Sequence, residues 1–237
     1  MSLRDEFATR LRMIPSSRDY MVGASTPMNV NWQVKVRRNS MIFIRYENWR
    51  TYVKSYPITT LLIIANIVMF IVLMASGGTN GENLFRHGAI WKVEPFNKET
   101  WRIAAAMFLH GGFEHLLFNM FALFVFAPPL EQMMGSFKYA VLYVISGLLG
   151  NATALWLSEW GTLAVGASGA IYGIYGAYLF IALFRRQTLD EASRRTLLII
   201  LGIGIVQSFV IQGISWSAHL GGLAAGFFVY GVLRLIR

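Results

Sequence analysis

The 237-residue chain contains no cysteine. Disulfides, thiolate metal sites and thiol nucleophiles are therefore excluded. Charge is also scarce. Asp, Glu, Lys and Arg together make up 14% of the residues, where a soluble domain carries about a quarter. What fills the space is apolar: 55% of the chain is hydrophobic, and the mean hydropathy is +0.49. Long uncharged runs of this kind mark a polytopic membrane protein. The net charge of +9 would suit a nucleic-acid binder, but the basic residues collect beside the apolar runs, as membrane topology requires. No nucleic-acid partner is expected; the lipid bilayer is. The first run begins near Ile58, too far along to read as an N-terminal signal peptide.

Residues 1–56 are mixed and polar, with ten Lys/Arg and four Asp/Glu. They read as a short, partly ordered cytosolic extension. A membrane-surface anchor using Trp32, Trp49 and the arginines is the alternative. Asn29 to Val36 alternates in part like a short strand. Residues 57–237 then carry six apolar segments: Ile58 to Met74, Phe113 to Met134, Phe137 to Leu157, Ser168 to Phe184, Thr196 to Val210 and Ala218 to Ile236. Each approaches the roughly 20 residues that span hydrocarbon, and each must be a helix, because lipid satisfies no backbone group. Gly77 to Gly112 reads as a long loop, as do Ser158 to Ala167 and Arg185 to Arg195. The fold class expected is an all-α bundle of six transmembrane helices. With the N-terminus inside, cytoplasmic segments hold seventeen Lys/Arg and outer loops hold four. That asymmetry places both termini in the cytoplasm.

Four polar residues stand out inside these segments. Ser168 lies 17 residues before Arg185 and His219 lies 15 before Arg234, heights of ~25 and ~22 Å on helices rising 1.5 Å per residue. His115 and Asn119 lie 16 and 12 residues before Glu131, or ~24 and ~18 Å. They fall in one layer towards the outer side of the hydrocarbon, where polar side chains are costly and usually functional. A water-filled site opening outward follows.

A serine hydroxyl needs a neighbouring base to become a nucleophile, and a neutral imidazole suits that task near pH 7. No carboxylate within the membrane is placed to orient His219: Asp190 lies in a cytosolic loop and Glu131 at the inner end of its helix. A Ser-His dyad without an acid is the arrangement expected. His115 and Asn119, four apart on one helix face, and the unpaired N–H of Ser168 in the first turn of its helix supply donors for an oxyanion. Tyr172, one turn below Ser168, can pack on the His219 ring. Gly169, Gly173 and Gly176 form a stripe on the fourth segment, and His219, Gly222 and Gly226 another on the sixth. Small residues let membrane helices approach backbone to backbone. A transporter or channel also explains a buried Asn and His, but gives no reason for a Ser-Gly pair opening a helix level with His219. A membrane metalloprotease needs a His-Glu-x-x-His pair, and Glu114-His115 lacks the second histidine.

The residues resemble the rhomboid family of intramembrane serine proteases. Trp101-Arg102 is similar to the family's loop signature. His110, His115 and Asn119 match its second-helix motif, with Glu131 and Gly135 at the end of that helix. Gly166-Ala167-Ser168-Gly169 with Tyr172 matches the nucleophile motif, and Ala218-His219 with Gly222 and Gly226 the last-helix motif. The resemblance implies Ser168 as nucleophile, His219 as general base then acid, and His115, Asn119 and the Ser168 N–H as oxyanion donors. Tyr172, His110, Gly166, Gly222, Trp101 and Arg102 would support them. It further implies transmembrane protein substrates, neither metal nor cofactor, a half-submerged first loop, and a mobile fifth helix. A bacterial six-helix form in the plasma membrane is the version it most resembles. One departure is Pro128-Pro129, expected to kink the inner half of the second helix.

Overall fold

The structure is a computed structural model that describes residues 42–43, 47–185, 187–211 and 213–235. The strand reading at Asn29 to Val36, and most of the N-terminal extension with Trp32, lie outside the described residues. Helix α1 (Trp49–Ser55) leads into α2 (Pro57–Ser76), and the short α3 (Gly81–Arg86) and α4 (Trp101–Ala105) follow. The long α5 (Phe113–Met134) and α6 (Ser136–Leu157) come next, then α7 (Ser168–Phe184), α8 (Glu191–Val210) and α9 (Trp216–Leu235). Five of these helices, α2, α5, α6, α8 and α9, are long and apolar enough to cross a membrane, and α7 is a shorter apolar helix of the same bundle. The protein is an integral, multi-pass all-α membrane protein.

The exposed side chains fit lipid as solvent. Leu61, Ile64, Val68 and Ile71 of α2 and Leu117, Phe118 and Phe121 of α5 all point outward, a belt that water would penalise and hydrocarbon accepts. Asn66 of α2 and Asn119 of α5 turn inward instead. Asn66 is fully buried, and its amide donates to Leu62 O at 2.7 Å.

Segments read as plain loops carry structure. The segment Gly77 to Gly112 contains α3, α4, two 3-10 turns (Phe96–Lys98 and Ala106–Phe108) and strand β1 (Ile90–Trp91). Strand β1 pairs antiparallel with β2 (Leu163–Ala164), in register Ile90↔Ala164. These elements are too short for periodicity to reveal, and tertiary contacts hold them. Arg102 is 6% exposed. It donates to Glu99 Oε2 at 2.7 Å and to the carbonyls of Phe85 and Ala89 at 2.6 and 3.2 Å. Its guanidinium lies over the Phe85 and Trp101 rings at 3.9 and 4.6 Å. Helix α8 begins at Glu191, five residues earlier than the apolar pattern starts, because Asp190 caps it by accepting from Ser193 N at 2.9 Å.

Pro128 and Pro129 lie inside α5, which runs unbroken from Phe113 to Met134. Proline at 128 removes the N–H that would bond Phe124 O. The Tyr52 hydroxyl of α1 donates to that carbonyl at 3.4 Å, and its ring stacks on Phe124. At the inner end of α5, Glu131 is 1% exposed. Its carboxylate accepts from Ile58 N, Thr59 N, Thr59 Oγ1 and Ser136 Oγ at 2.7–3.0 Å. The first N–H groups of α2, which have no partner within their own helix, are thereby paired, and the negative charge meets the positive end of the helix dipole. Gly135 makes the turn from α5 to α6 at φ +79°, a region that other residues rarely enter.

Glu131→Ala is expected to leave the Ile58 and Thr59 amides buried and unpaired, at about 1–3 kcal/mol per orphaned donor. The midpoint of thermal unfolding in detergent should drop clearly. An unchanged midpoint would show that the carboxylate does not hold α2.

Candidate active site

Helices α6, α7 and α9 meet at glycines. A Cβ built on Gly222 would fall on Gly169 O, one on Gly226 on Gly173 O, and one on Gly176 on Leu223 O. One on Gly150 of α6 would lie 2.8 Å from Ala218 O. Both stripes read from the sequence are therefore contact surfaces, with backbone packed on backbone. This crossing brings the start of α9 against the start of α7.

Ser168 is the first residue of α7 and is half-buried. The chain enters it through Gly166, whose φ is +132° and whose N–H donates to Ala106 O at 2.9 Å. A side chain at 166 would be doubly excluded. Its backbone conformation is one that residues with a Cβ rarely adopt, and the Cβ would lie 2.9 Å from both Cε1 and Nε2 of His115. That same point is 3.5 Å from Ser168 Oγ. The His115 ring edge and the Ser168 hydroxyl thus converge on the bare face of Gly166.

Hydrogen bonding assigns the tautomer of His115. Its Nδ1 accepts from Gly111 N at 3.4 Å, so the proton of the neutral ring sits on Nε2. That Nε2–H points into the site as a donor. Asn119, 6% exposed, sits one turn further along α5, and its Nδ2 donates to His115 O at 2.7 Å. One N–H of that amide remains for another acceptor. His110 is fully buried, and its ring meets the His115 ring edge-on at 5.0 Å. Burial and the neighbouring His115 push its pKa down to about 3, so His110 is neutral at physiological pH.

His219 is 7% exposed, in the first turns of α9. Its ring stacks on Tyr172 at 4.0 Å and 11° between planes. Tyr172 is one turn after Ser168 on the same face of α7, so the imidazole lies along the face that carries the hydroxyl. No hydrogen bond joins Ser168 to His219 among the described residues. The imidazole is bonded through Nδ1 to Ser208 Oγ of α8 at 2.6 Å, a partner that the sequence reading passed over. Asn151 was also missed. Its Nδ2 donates to Ile103 O at 2.9 Å, and its Oδ1 lies 3.8 Å from the Cβ position of Gly169. Trp101 and Arg102 do not join this cluster: their contacts fold the first loop.

Residues 97–236 match the model of the Rhomboid domain. The chain belongs to the rhomboid family. It is thus an intramembrane serine protease. It is 35% identical to a putative rhomboid protease, YdcA, of Bacillus subtilis (strain 168), over 78% of this chain and 93% of that one. It is also 35% identical to the rhomboid protease GluP of the same organism, over 75% of this chain but only 35% of GluP. RHOMBOID-like protein 5 of Arabidopsis thaliana is 40% identical over 58% of this chain and 45% of its own length. The chain therefore spans nearly all of the first relative and less than half of the other two.

The glycine crossing generates a direct expectation for this rhomboid. Gly222→Ala places a methyl group on Gly169 O and should force α7 and α9 apart. Overpacking of this kind costs about 1–3 kcal/mol, and both the thermal midpoint and substrate cleavage should fall. Gly202→Ala on α8, where nothing lies within 4 Å, should change neither. Equal behaviour of the two variants would refute the close-crossing account.

Proposed function

We propose that the protein cleaves peptide bonds in or near transmembrane segments of membrane proteins by a Ser168–His219 dyad. The observation that carries this reading is the convergence at Gly166. Ser168 Oγ and the His115 Nε2–H approach one point, while the His219 imidazole stacks on Tyr172 one turn away. A nucleophile, a base and an oxyanion donor are thereby gathered from α7, α9 and α5.

The chemistry follows from these groups. As substrate enters, rotation of the Ser168 side chain brings Oγ to His219 Nε2; catalytic bonds of this kind often close only with substrate bound. Oγ attacks the scissile carbonyl carbon, and its proton passes to Nε2. The carbonyl oxygen becomes an oxyanion held by the Ser168 N–H, the His115 Nε2–H and the spare amide N–H of Asn119. The C–N bond then breaks, and the Nε2 proton goes to the leaving amine. Water, deprotonated in turn by Nε2, releases the acyl group from Ser168. His110 packs against His115 and holds its ring. Gly166 and Gly222 hold the backbone approaches open. No step calls for a metal or cofactor.

The basic residues of the short loops support an orientation with both termini cytoplasmic and the site opening outward in the plasma membrane. Residues 57–237 are the protease domain in this reading, and residues 1–56 a cytosolic extension.

Ser168→Ala and His219→Ala should each abolish cleavage of a transmembrane substrate by the purified protein in detergent or liposomes. A fluorophosphonate probe should label Ser168 in the wild type. Asn119→Ala should lower kcat by about 10–100-fold and leave residual activity, because two donors remain. Cleavage by purified Ser168→Ala would remove Ser168 from the mechanism, and full activity of Asn119→Ala would remove Asn119 from the oxyanion site. An unlabelled, folded protein would favour a transporter or channel.

A further inference from the structure

Ser208 is the polar residue closest to the proposed base, and it comes from a helix that the dyad does not include. Helix α8 turns most of its surface outward: Leu198, Ile199, Ile203, Val206, Phe209 and Val210 are all exposed. Its buried residues are Ser193, Leu197, Leu201 and Ser208. Ser208 ends that inward stripe beside His219. It is 3% exposed, and its Oγ has three neighbours: Gly204 O at 2.7 Å, His219 Nδ1 at 2.6 Å and the Tyr172 hydroxyl at 3.3 Å. Gly204 lets the helices come this close, since a Cβ there would lie 2.5 Å from the Tyr172 hydroxyl.

Proton counting decides the direction of these bonds. A serine hydroxyl has one proton. A carbonyl oxygen only accepts, and a helical serine typically donates to the carbonyl four residues back. The Ser208 proton therefore goes to Gly204 O, and Oγ is left with lone pairs. A lone pair facing a ring nitrogen at 2.6 Å requires that nitrogen to carry hydrogen. His219 is then protonated on Nδ1, and its Nε2 lone pair is free.

We infer that Ser208 is a positioning residue for this rhomboid: its Oγ accepts the His219 Nδ1–H, holds the imidazole as the tautomer that can act as a base, and does so only while α8 is docked. The inference rests on the Ser168–His219 reading. When Nε2 takes the Ser168 proton, the imidazolium still donates its Nδ1–H to Ser208 Oγ. Ser208 neither gains nor loses a proton. Its hydroxyl dipole faces the new positive charge, as a carboxylate does in a Ser-His-Asp triad. Displacement of α8 would withdraw this acceptor, so the base is complete only with the helix in place.

The test uses the full chain in liposomes with a transmembrane substrate. Wild type is compared with Ser208→Ala, Ser208→Cys, which is somewhat larger and accepts weakly, and Ser208→Thr. Ser208→Ala and Ser208→Cys should lower kcat by about 10–100-fold, with KM within about twofold, while Ser208→Thr should recover most of the rate. In the wild type, solid-state 15N spectra of labelled histidine should show the His219 proton on Nδ1, the signal being assigned by its loss in His219→Gln. A proton on Nε2, or an unchanged kcat in Ser208→Cys, overturns the inference, and the wild-type spectrum decides even if a variant does not fold. Ser168→Ala runs alongside. If it cleaves substrate, the dyad itself fails. If it is dead while Ser208→Cys is fully active, only the role of Ser208 fails.

Discussion

The crossing of α7 over α9 is the contact on which the site depends. Gly169 meets Gly222 and Gly173 meets Gly226 with no side chain between the backbones. In lipid the hydrophobic effect does not press helices together, so close packing of small surfaces must supply the cohesion. The geometry leaves little freedom. With the two backbones in contact, a residue three positions before Gly222 lies against the turn that follows Ser168, and this is where the His219 ring stacks on Tyr172. Gly150 brings α6 into the same contact. Residues far apart in sequence thus meet because three helices are narrow at one height.

Burial of polar groups follows a consistent rule away from that crossing. Three polar side chains sit where a helix or loop would otherwise leave a backbone group unpaired. Glu131 pairs the start of α2, Tyr52 pairs a carbonyl that Pro128 releases, and Arg102 gathers the carbonyls of Phe85 and Ala89. Unpaired backbone groups cost several kcal/mol where water is absent, so these side chains stabilise the frame. The cluster around Gly166 differs: among the described residues, His115 Nε2 and Ser168 Oγ carry no hydrogen bond, although each is able to make one. Donors and acceptors held in place without partners are what a site needs if its partner is to be a substrate.

The long spans were legible in the sequence because uncharged apolar runs are what a bilayer demands. The runs Phe113 to Met134 and Ser168 to Phe184 coincide with α5 and α7. The same holds for the glycine stripes, since a period of three to four on an apolar helix has few other causes. The first loop was not legible. Helix α3 and strands β1 and β2 are six, two and two residues long, too short for any period to emerge, and their stability comes from Arg102 and from pairing between strands far apart in sequence, Ile90 with Ala164 and Trp91 with Leu163. The sequence places Glu131 at the inner end of its helix. That it holds α2 depends on which helix lies beside it, and composition carries no such information. Ser208 was passed over although the depth rule applied to it. It lies 13 residues after Arg195, or ~20 Å along its helix, in the same layer as Asn119 and His219. A lone serine in an apolar helix usually bonds its own backbone, and Ser208 does so with Gly204; the second bond, to His219, appears only with the helices assembled.

That double bonding links local helix chemistry to the site. The bond from Ser208 to Gly204 is intrahelical, so it travels with α8 wherever the helix moves. The bond to His219 crosses between helices and exists only in the docked arrangement. Because the first bond consumes the only proton of the hydroxyl, the second has one possible direction, and the ring on α9 is left with its lone pair on Nε2. The outermost apolar faces of α8 meet lipid on one side, and its inward stripe meets His219 on the other. A helix placed this way is loosely held by packing yet chemically coupled to the site, so a change in its position reads directly as a change in the hydrogen bonding of His219.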